Sequence, residues 1–173
     1  MDQNYNFPLE TEVVCTYELF KDAARTYKKG QAKRWGIVYA FIAILIVLSI
    51  FLLIVDDNKL FGGFCLSVGI IYVPLLHFIY WLQLQKSYKT NLALRDETIH
   101  YSFYEDEIEL TSPAASSKMK YEKLYSALED DKNILLLLSA RQYLIIRKEK
   151  CSDELLSFLH VKMDEINARK AKK

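Results

Sequence analysis

Charge is missing from two long stretches of this 173-residue chain: none lies between Arg34 and Asp56, and none between Lys59 and Lys86. The neutral averages (net charge +1, mean hydropathy 0.00) are therefore the mean of two very apolar blocks and a polar remainder. That distribution excludes a soluble enzyme built on one large core. An apolar fraction of 51% also excludes a disordered chain. Cysteine is scarce as well. Cys15, Cys65 and Cys151 are odd in number, with no CxxC spacing, so neither a disulfide framework nor a zinc site is expected. The N-terminus is polar and acidic, without the basic and apolar regions of a cleaved signal peptide.

Catalytic motifs are also lacking. There is no GxSxG, P-loop or HExxH sequence, and His77, His100 and His160 give no i, i+4 pair for a metal. Glu105, Asp106, Glu107 and Glu109 form an acidic cluster, and Asp130 and Asp131 another. At turns and alternating strand positions such clusters read as a solvated face. With a pI of 7.6 and basic residues gathered beside the apolar blocks, nucleic acid is not an expected partner. No catalytic, cofactor-binding or metal-binding residues are assigned, and the chain is not expected to be an enzyme.

What is present is a hairpin signal. Ile37–Val55 is long enough to cross a ~30 Å hydrocarbon core as a helix, and it is apolar all round, unlike a soluble amphipathic helix. Leu60–Leu82 is the second span. It carries Gly62, Gly63, Ser67, Gly69 and Pro74, which membrane helices tolerate where neighbours re-satisfy the backbone. Trp35, Tyr80 and Trp81 are placed for the aromatic belt. Lys21, Arg25, Lys28, Lys29, Lys33 and Arg34 precede the first span. Lys86, Lys89 and Arg95 follow the second, whereas the connector offers only Lys59. The positive-inside rule then predicts both termini in the cytoplasm. His77 is the one ionisable side chain inside a span, hence a candidate intramembrane polar site. The expectation is a hydrogen-bonded structural histidine, because no second acid or base completes a relay.

Before the spans, Glu12–Thr16 reads as extended, and Thr16 caps a helix through Lys29 that stops at Gly30. Leu19, Phe20, Ala23, Ala24 and Tyr27 form its apolar face. Two readings stay open here. The helix rests in the headgroup layer, with the six basic residues from Lys21 to Arg34 on anionic lipid, or its face packs on the chain's own domain.

After the spans the period becomes two. Strands are predicted at Ile99–Phe103, Ile108–Leu110, Lys118–Tyr121, Leu124–Glu129, Ile134–Leu138 and Tyr143–Arg147, separated by tight turns, as an antiparallel meander. Ser152 caps a last helix whose stripe is Leu155, Leu156, Leu159, Met163 and Ile166. The expected organisation is a strand and helix over 1–34, a hairpin over 35–85, a β domain with its helix over 86–168, and a basic tail over 169–173.

That order, with the run YSFYEDEIEL…SSKMKYEKLYSALEDDKNILLLLSARQYLIIRKEKCSDELLSFL, resembles the YcxB-like family of small bacterial membrane proteins. Glu107 stands where the family pattern has a turn glycine, Tyr121 where it often has tryptophan, and Arg147 where it has proline. The resemblance implies an α+β membrane protein: a two-helix transmembrane hairpin with a cytoplasmic, antiparallel, pleckstrin-homology-like β domain capped by a C-terminal helix. It implies placement in a bacterial inner membrane and brings no activity or cofactor with it. The expected function is a non-enzymatic binding module that tethers or regulates a protein partner at the inner membrane face. The alternative is an immunity protein against a membrane-active toxin or bacteriocin. Membrane lipids are expected partners in either case, and a homo-oligomer stays open.

Overall fold

The computed structural model describes residues 5–55, 59–90, 95–139 and 142–171, and for Lys33, Arg34, Ser87 and Ala171 the backbone alone. The chain divides into two compact units: residues 1–30 joined with 88–173, and residues 31–87.

The first unit is α+β. Strand β1 (Leu9–Val14) is followed by helix α1 (Tyr17–Gly30). After the second unit come β2 (Thr98–Phe103), β3 (Glu107–Ser112), β4 (Ala115–Lys120), β5 (Ser126–Glu129), β6 (Asn133–Leu137) and β7 (Tyr143–Arg147). Helix α4, the C-terminal one, is Asp153–Ala171. All pairings are antiparallel: one sheet has the order β1-β2-β3-β4, and the other β5-β6-β7.

The sheets follow from period-two alternation. Ile99, Tyr101 and Phe103 turn inward on β2, with His100 outward, and β6 is buried along its whole length. Phe103, Ile108, Ile134, Leu135, Ile146, Leu155 and Leu159 have no measurable exposure, so the two sheets and α4 share one core. The caps behave as their sequence predicts. The Thr16 hydroxyl accepts from the Leu19 N–H at 3.3 Å, and the Ser152 hydroxyl from the Leu155 N–H at 3.1 Å.

Three placements differ from the sequence expectation. Residues 5–30 do not stand apart from the β domain: β1 pairs along its whole length with β2 in register Leu9↔Phe103 to Val14↔Thr98. Alternation over six residues shows a strand, but not which distant strand it joins. β4 starts at Ala115, three residues before the expected Lys118, because the Ser112 side chain closes the turn from both sides. Its hydroxyl bonds the Ala115 carbonyl at 3.1 Å and accepts from the Ala115 N–H at 3.2 Å. Tyr121 leaves the strand for a 3-10 turn, and the fifth strand opens at Ser126 rather than Leu124.

The apolar face of α1 is also settled. Leu19, Ala23 and Ala24 are buried against the core, and the Tyr27 ring stacks on Tyr143 at 5.9 Å. Gly30 closes the helix where an added Cβ would meet the Leu128 methyls at 2.7 Å, so glycine is what lets α1 approach β5 this closely.

The second unit is two long helices, α2 (Ala32–Val55) and α3 (Lys59–Thr90, whose last turn enters the first unit). Both are long and apolar enough to cross a membrane. Among the described residues, the large exposed hydrophobics lie on these two helices, except for Val14, Tyr125 and Val161. α3 runs eight residues beyond the expected Leu82, since Gln83–Thr90 contains neither glycine nor proline to stop it.

Candidate binding surfaces

In the hairpin the two helices meet along a heptad seam. A Cβ on Gly62 would press Leu53 at 2.9 Å, and one on Gly69 would press Ile46 at 3.2 Å. Gly62 and Gly69 are seven residues apart, as are Ile46 and Leu53, so antiparallel helices repeat the same fit once per heptad. Ile42 and Ser49 are buried on the same line of α2. Gly63 lies off this seam, and a Cβ there would meet nothing within 4 Å.

The polar residues of α2 and α3 turn back on their own helices. The Ser49 hydroxyl donates to the Leu45 carbonyl at 2.8 Å, and that of Ser67 to the Gly63 carbonyl at 2.8 Å. His77 Nδ1 lies 3.0 Å from the Val73 carbonyl, which only accepts, so Nδ1 carries the proton of that contact. Each i−4 bond satisfies a polar group within one helix, which is how a membrane span carries serine or histidine at low cost. Beside the seam lies an apolar groove of about 870 Å³, lined from both helices by residues such as Phe41, Leu45, Phe64 and Val68.

The basic residues expected at headgroups are divided. On α1, Lys21 pairs with Glu18 at 3.8 Å and Arg25 with Asp22 at 3.5 Å, and Lys28 and Lys29 close the last turn. The side chains of Lys33 and Arg34 lie outside the described residues.

In the first unit the decisive question is which strand edges are open. β7 is flanked by β1, where the Thr11 hydroxyl donates to the Lys150 carbonyl at 2.9 Å. The β5 edge is closed by a side chain: Asn167 Oδ1 accepts from the Ala127 N–H at 3.0 Å, and Asn167 Nδ2 donates to the Ala127 carbonyl at 3.1 Å. One carboxamide thus takes both main-chain bonds that an added strand would use at that residue. Asn167 Oδ1 also accepts from the Ser126 hydroxyl at 3.2 Å.

Among the described residues, β4 has no such cover. Five of its six residues are exposed, and only Met119 is partly buried. On its outer face the Lys118 ammonium lies 3.2 Å from Glu109 and 3.9 Å from Glu107, and the Glu109 contact holds its pKa above the ordinary value. The acidic cluster is therefore partly neutralised within its own sheet. At the end of β4 a cleft of about 670 Å³ opens between the Tyr121 turn and α4, lined by Asp106, Lys120, Glu122, Lys162, Glu165 and Arg169, among others. Arg169 donates to the Tyr121 carbonyl at 2.9 Å, and Lys162 lies 5.4 Å from the Tyr121 ring centre. Burial, with the Asp106 charge behind it, pushes the Tyr121 phenol well up, and its hydroxyl donates to the Tyr104 carbonyl.

Two carboxylates tie this unit together. Burial raises the Glu129 pKa, but the Lys148 and His160 bonds outweigh it and leave the group below its ordinary value. Asp130 behaves alike: burial raises it, and the Thr26 hydroxyl with the Lys132 and Asn133 amides brings it below. Among the described residues no cluster of three or more His, Cys, Asp or Glu side chains is arranged to hold a metal.

The sequence reading missed Asn167 and the cleft. The signal for Asn167 was present, since it continues the Leu159–Met163 line at i+4 with a polar residue where the apolar stripe would go on. The cleft had no such signal, because it forms between a turn and a helix some forty residues apart.

No curated protein and no solved structure matches the chain significantly. A protein-family model does: residues 103–159, a third of the chain from the end of β2 into α4, match the family described as YcxB-like protein. The stretch contains β3 to β7, and it lies within the part of the sequence that resembles that family.

Proposed function

We propose that this chain is a non-enzymatic membrane-anchored binding module. Its hairpin spans a bacterial inner membrane with both termini cytoplasmic, and its α+β unit is pleckstrin-homology-like and tethers or regulates a protein partner there. The observation that carries the reading is the division of labour between the two units. One exposes large apolar side chains along two helices of membrane-spanning length. The other buries its apolar side chains and, among the described residues, leaves one strand edge uncovered. Helices exposed in this way need an apolar solvent, and the bilayer supplies it. The arrangement of four and three antiparallel strands with a C-terminal helix supports the pleckstrin-homology-like reading.

The polar groups of the spans argue against a channel or relay. Ser49, Ser67 and His77 each bond their own helix and line no shared path. The apolar face of α1 is used internally, so any contact of Lys21, Arg25, Lys28 and Lys29 with anionic headgroups is electrostatic, without insertion. The ion pairs of Lys21 and Arg25 are exposed and weak enough to yield to such contacts.

The test is crosslinking in cells, purification in mild detergent, and mass spectrometry of proteins and lipids. One protein recovered near stoichiometry supports the tether. If that protein is a membrane-active toxin, the chain is an immunity protein instead. Recovery of the chain alone refutes the reading. Topology is tested separately: Lys59→Cys should react with an impermeant maleimide from outside the cell, and reaction only after permeabilisation would reverse the orientation.

A further inference from the structure

Three of the four edge positions in the two sheets are occupied: β1 and β7 lie against each other, and Asn167 takes the main-chain groups of Ala127 on β5. We propose that the fourth, β4, binds an extended peptide segment with acidic side chains at alternate positions, added to the sheet as a fifth strand. This rests on the tethering reading above and names the chemistry of the partner.

Charge selects that occupant. Lys118 and Lys120 share the outer face of β4, opposite Glu109 and Glu107 of β3. Lys118 spends its charge on those two carboxylates, whereas among the described residues no carboxylate lies within ion-pair distance of Lys120. A strand added beside β4 runs about 4.8 Å from it, with its outward side chains next to both lysines. The Glu107 and Glu109 backbones lie one strand further, about 10 Å away, and their carboxylates reach to Lys118, which leaves Lys120 as the uncompensated charge beside the added strand. Lys120 therefore sets the charge that the added strand meets on this face, while the cleft beyond it is mixed, with Lys162 and Arg169 beside Asp106, Glu122 and Glu165.

The same lysines reject a second copy of β4. Opposed residues of an antiparallel pair share a face, so among the registers that keep that face the one centred on Lys118 sets it against itself, and the next register towards the strand end sets Lys118 against Lys120. Both place like charges in contact. The opposite shift avoids this only by carrying Lys120 past Ala115 into the turn. The edge is guarded against itself but open to an acidic strand.

The test uses the full-length chain in nanodiscs of zwitterionic lipid and three labelled peptides read by fluorescence anisotropy. One is a short alternating Glu/Val peptide, one its Lys/Val counterpart, and one the Glu/Val peptide N-methylated at every second residue. The Glu/Val peptide should bind about fivefold or more tightly than Lys/Val, and N-methylation on the pairing edge should abolish binding. Lys120→Glu, at an exposed position, should reverse the order of the first two while the circular dichroism stays unchanged. Equal binding of the N-methylated peptide would reduce the interaction to charge and overturn strand addition. An unchanged order in Lys120→Glu would move the site elsewhere. Absence of Glu/Val binding, with a crosslinked partner still recovered, would refute this edge and leave the tether standing. Absence of that partner refutes the tether itself.

Discussion

Asp130 is where the attachment of α1 to the second sheet can be measured. Its carboxylate accepts from the Thr26 hydroxyl at 2.5 Å, the Lys132 N–H at 2.9 Å and the Asn133 N–H at 2.8 Å. Asp130→Ala removes all three, but they are not equal. The Thr26 hydroxyl can fall back on the Asp22 carbonyl, already 3.1 Å away, and the Lys132 amide belongs to an exposed residue that water can serve. The Asn133 amide belongs to a residue only 1% exposed, so its loss is felt most. Hydrogen bonds to a charged group contribute roughly 1.5–3 kcal/mol each when no substitute exists; with two of three replaced, we expect about 2 kcal/mol in total. For a unit of this size that is roughly an 8 °C fall in Tm at neutral pH.

The pH dependence has a definite sign. Because the folded pKa of Asp130 lies below its ordinary 3.8, its contribution is present above that value and is lost as pH falls through the folded pKa. Glu129, also depressed from 4.5, acts in the same direction. Thermal unfolding in detergent, followed by circular dichroism from pH 7 down to pH 2, should show wild type and Asp130→Ala converging in acid. A parallel pair of curves, or a neutral-pH difference under about 0.5 kcal/mol, would refute the assignment of these bonds.

Other expectations follow from the same geometry. Phe103→Ala empties a fully buried aromatic position stacked on Tyr101, and should cost about 3–5 kcal/mol in denaturant unfolding of the β unit. Burial pushes the Cys15 thiol up to about 11, so at pH 8 it should resist alkylation in the folded chain and react once urea unfolds it; prompt labelling would contradict its burial. In membranes, the pair Ile46→Cys and Gly69→Cys should form a disulfide on mild oxidation. Ile46→Cys with Gly63→Cys should not, because Gly63 lies off the seam. Asn167→Ala should lose about 1 kcal/mol, since it frees the N–H and carbonyl of the buried Ala127, which water can reach only because the exposed Asn167 side chain has gone.

Much of the fold was legible because its signals are local. Thr16 and Ser152 cap the helices they were expected to cap, and the alternation of Ile99, Tyr101 and Phe103 points those three side chains into the core. The two apolar blocks are helices near their expected bounds. What escaped were pairings between distant residues. Nothing in Leu9–Val14 identifies Thr98–Phe103 as its neighbour, since a β ladder is specified by shape and burial rather than by a code. The open choice for α1 was settled in the same way, because any apolar helical face suits a lipid surface or a protein core, and only the presence of β5 and β6 decides between them.

The β1–β2 pairing also bears on function. The hairpin is inserted between two strands that are adjacent in one sheet, and the chain returns with Asp96 N–H bonded to the Cys15 carbonyl at 3.1 Å and Cys15 N–H to the Glu97 carbonyl at 3.0 Å. Tyr88, at the end of α3, packs on Tyr17 and Phe20 at 5.5 and 5.6 Å, and its hydroxyl donates to Asp96 at 2.7 Å. These contacts all lie within the α+β unit and join the two places where the hairpin interrupts its chain. The sheet that ends in the proposed β4 binding edge is thus built from residues on both sides of the hairpin, and the family-matched stretch 103–159 alone lacks β1 and all but the last residue of β2.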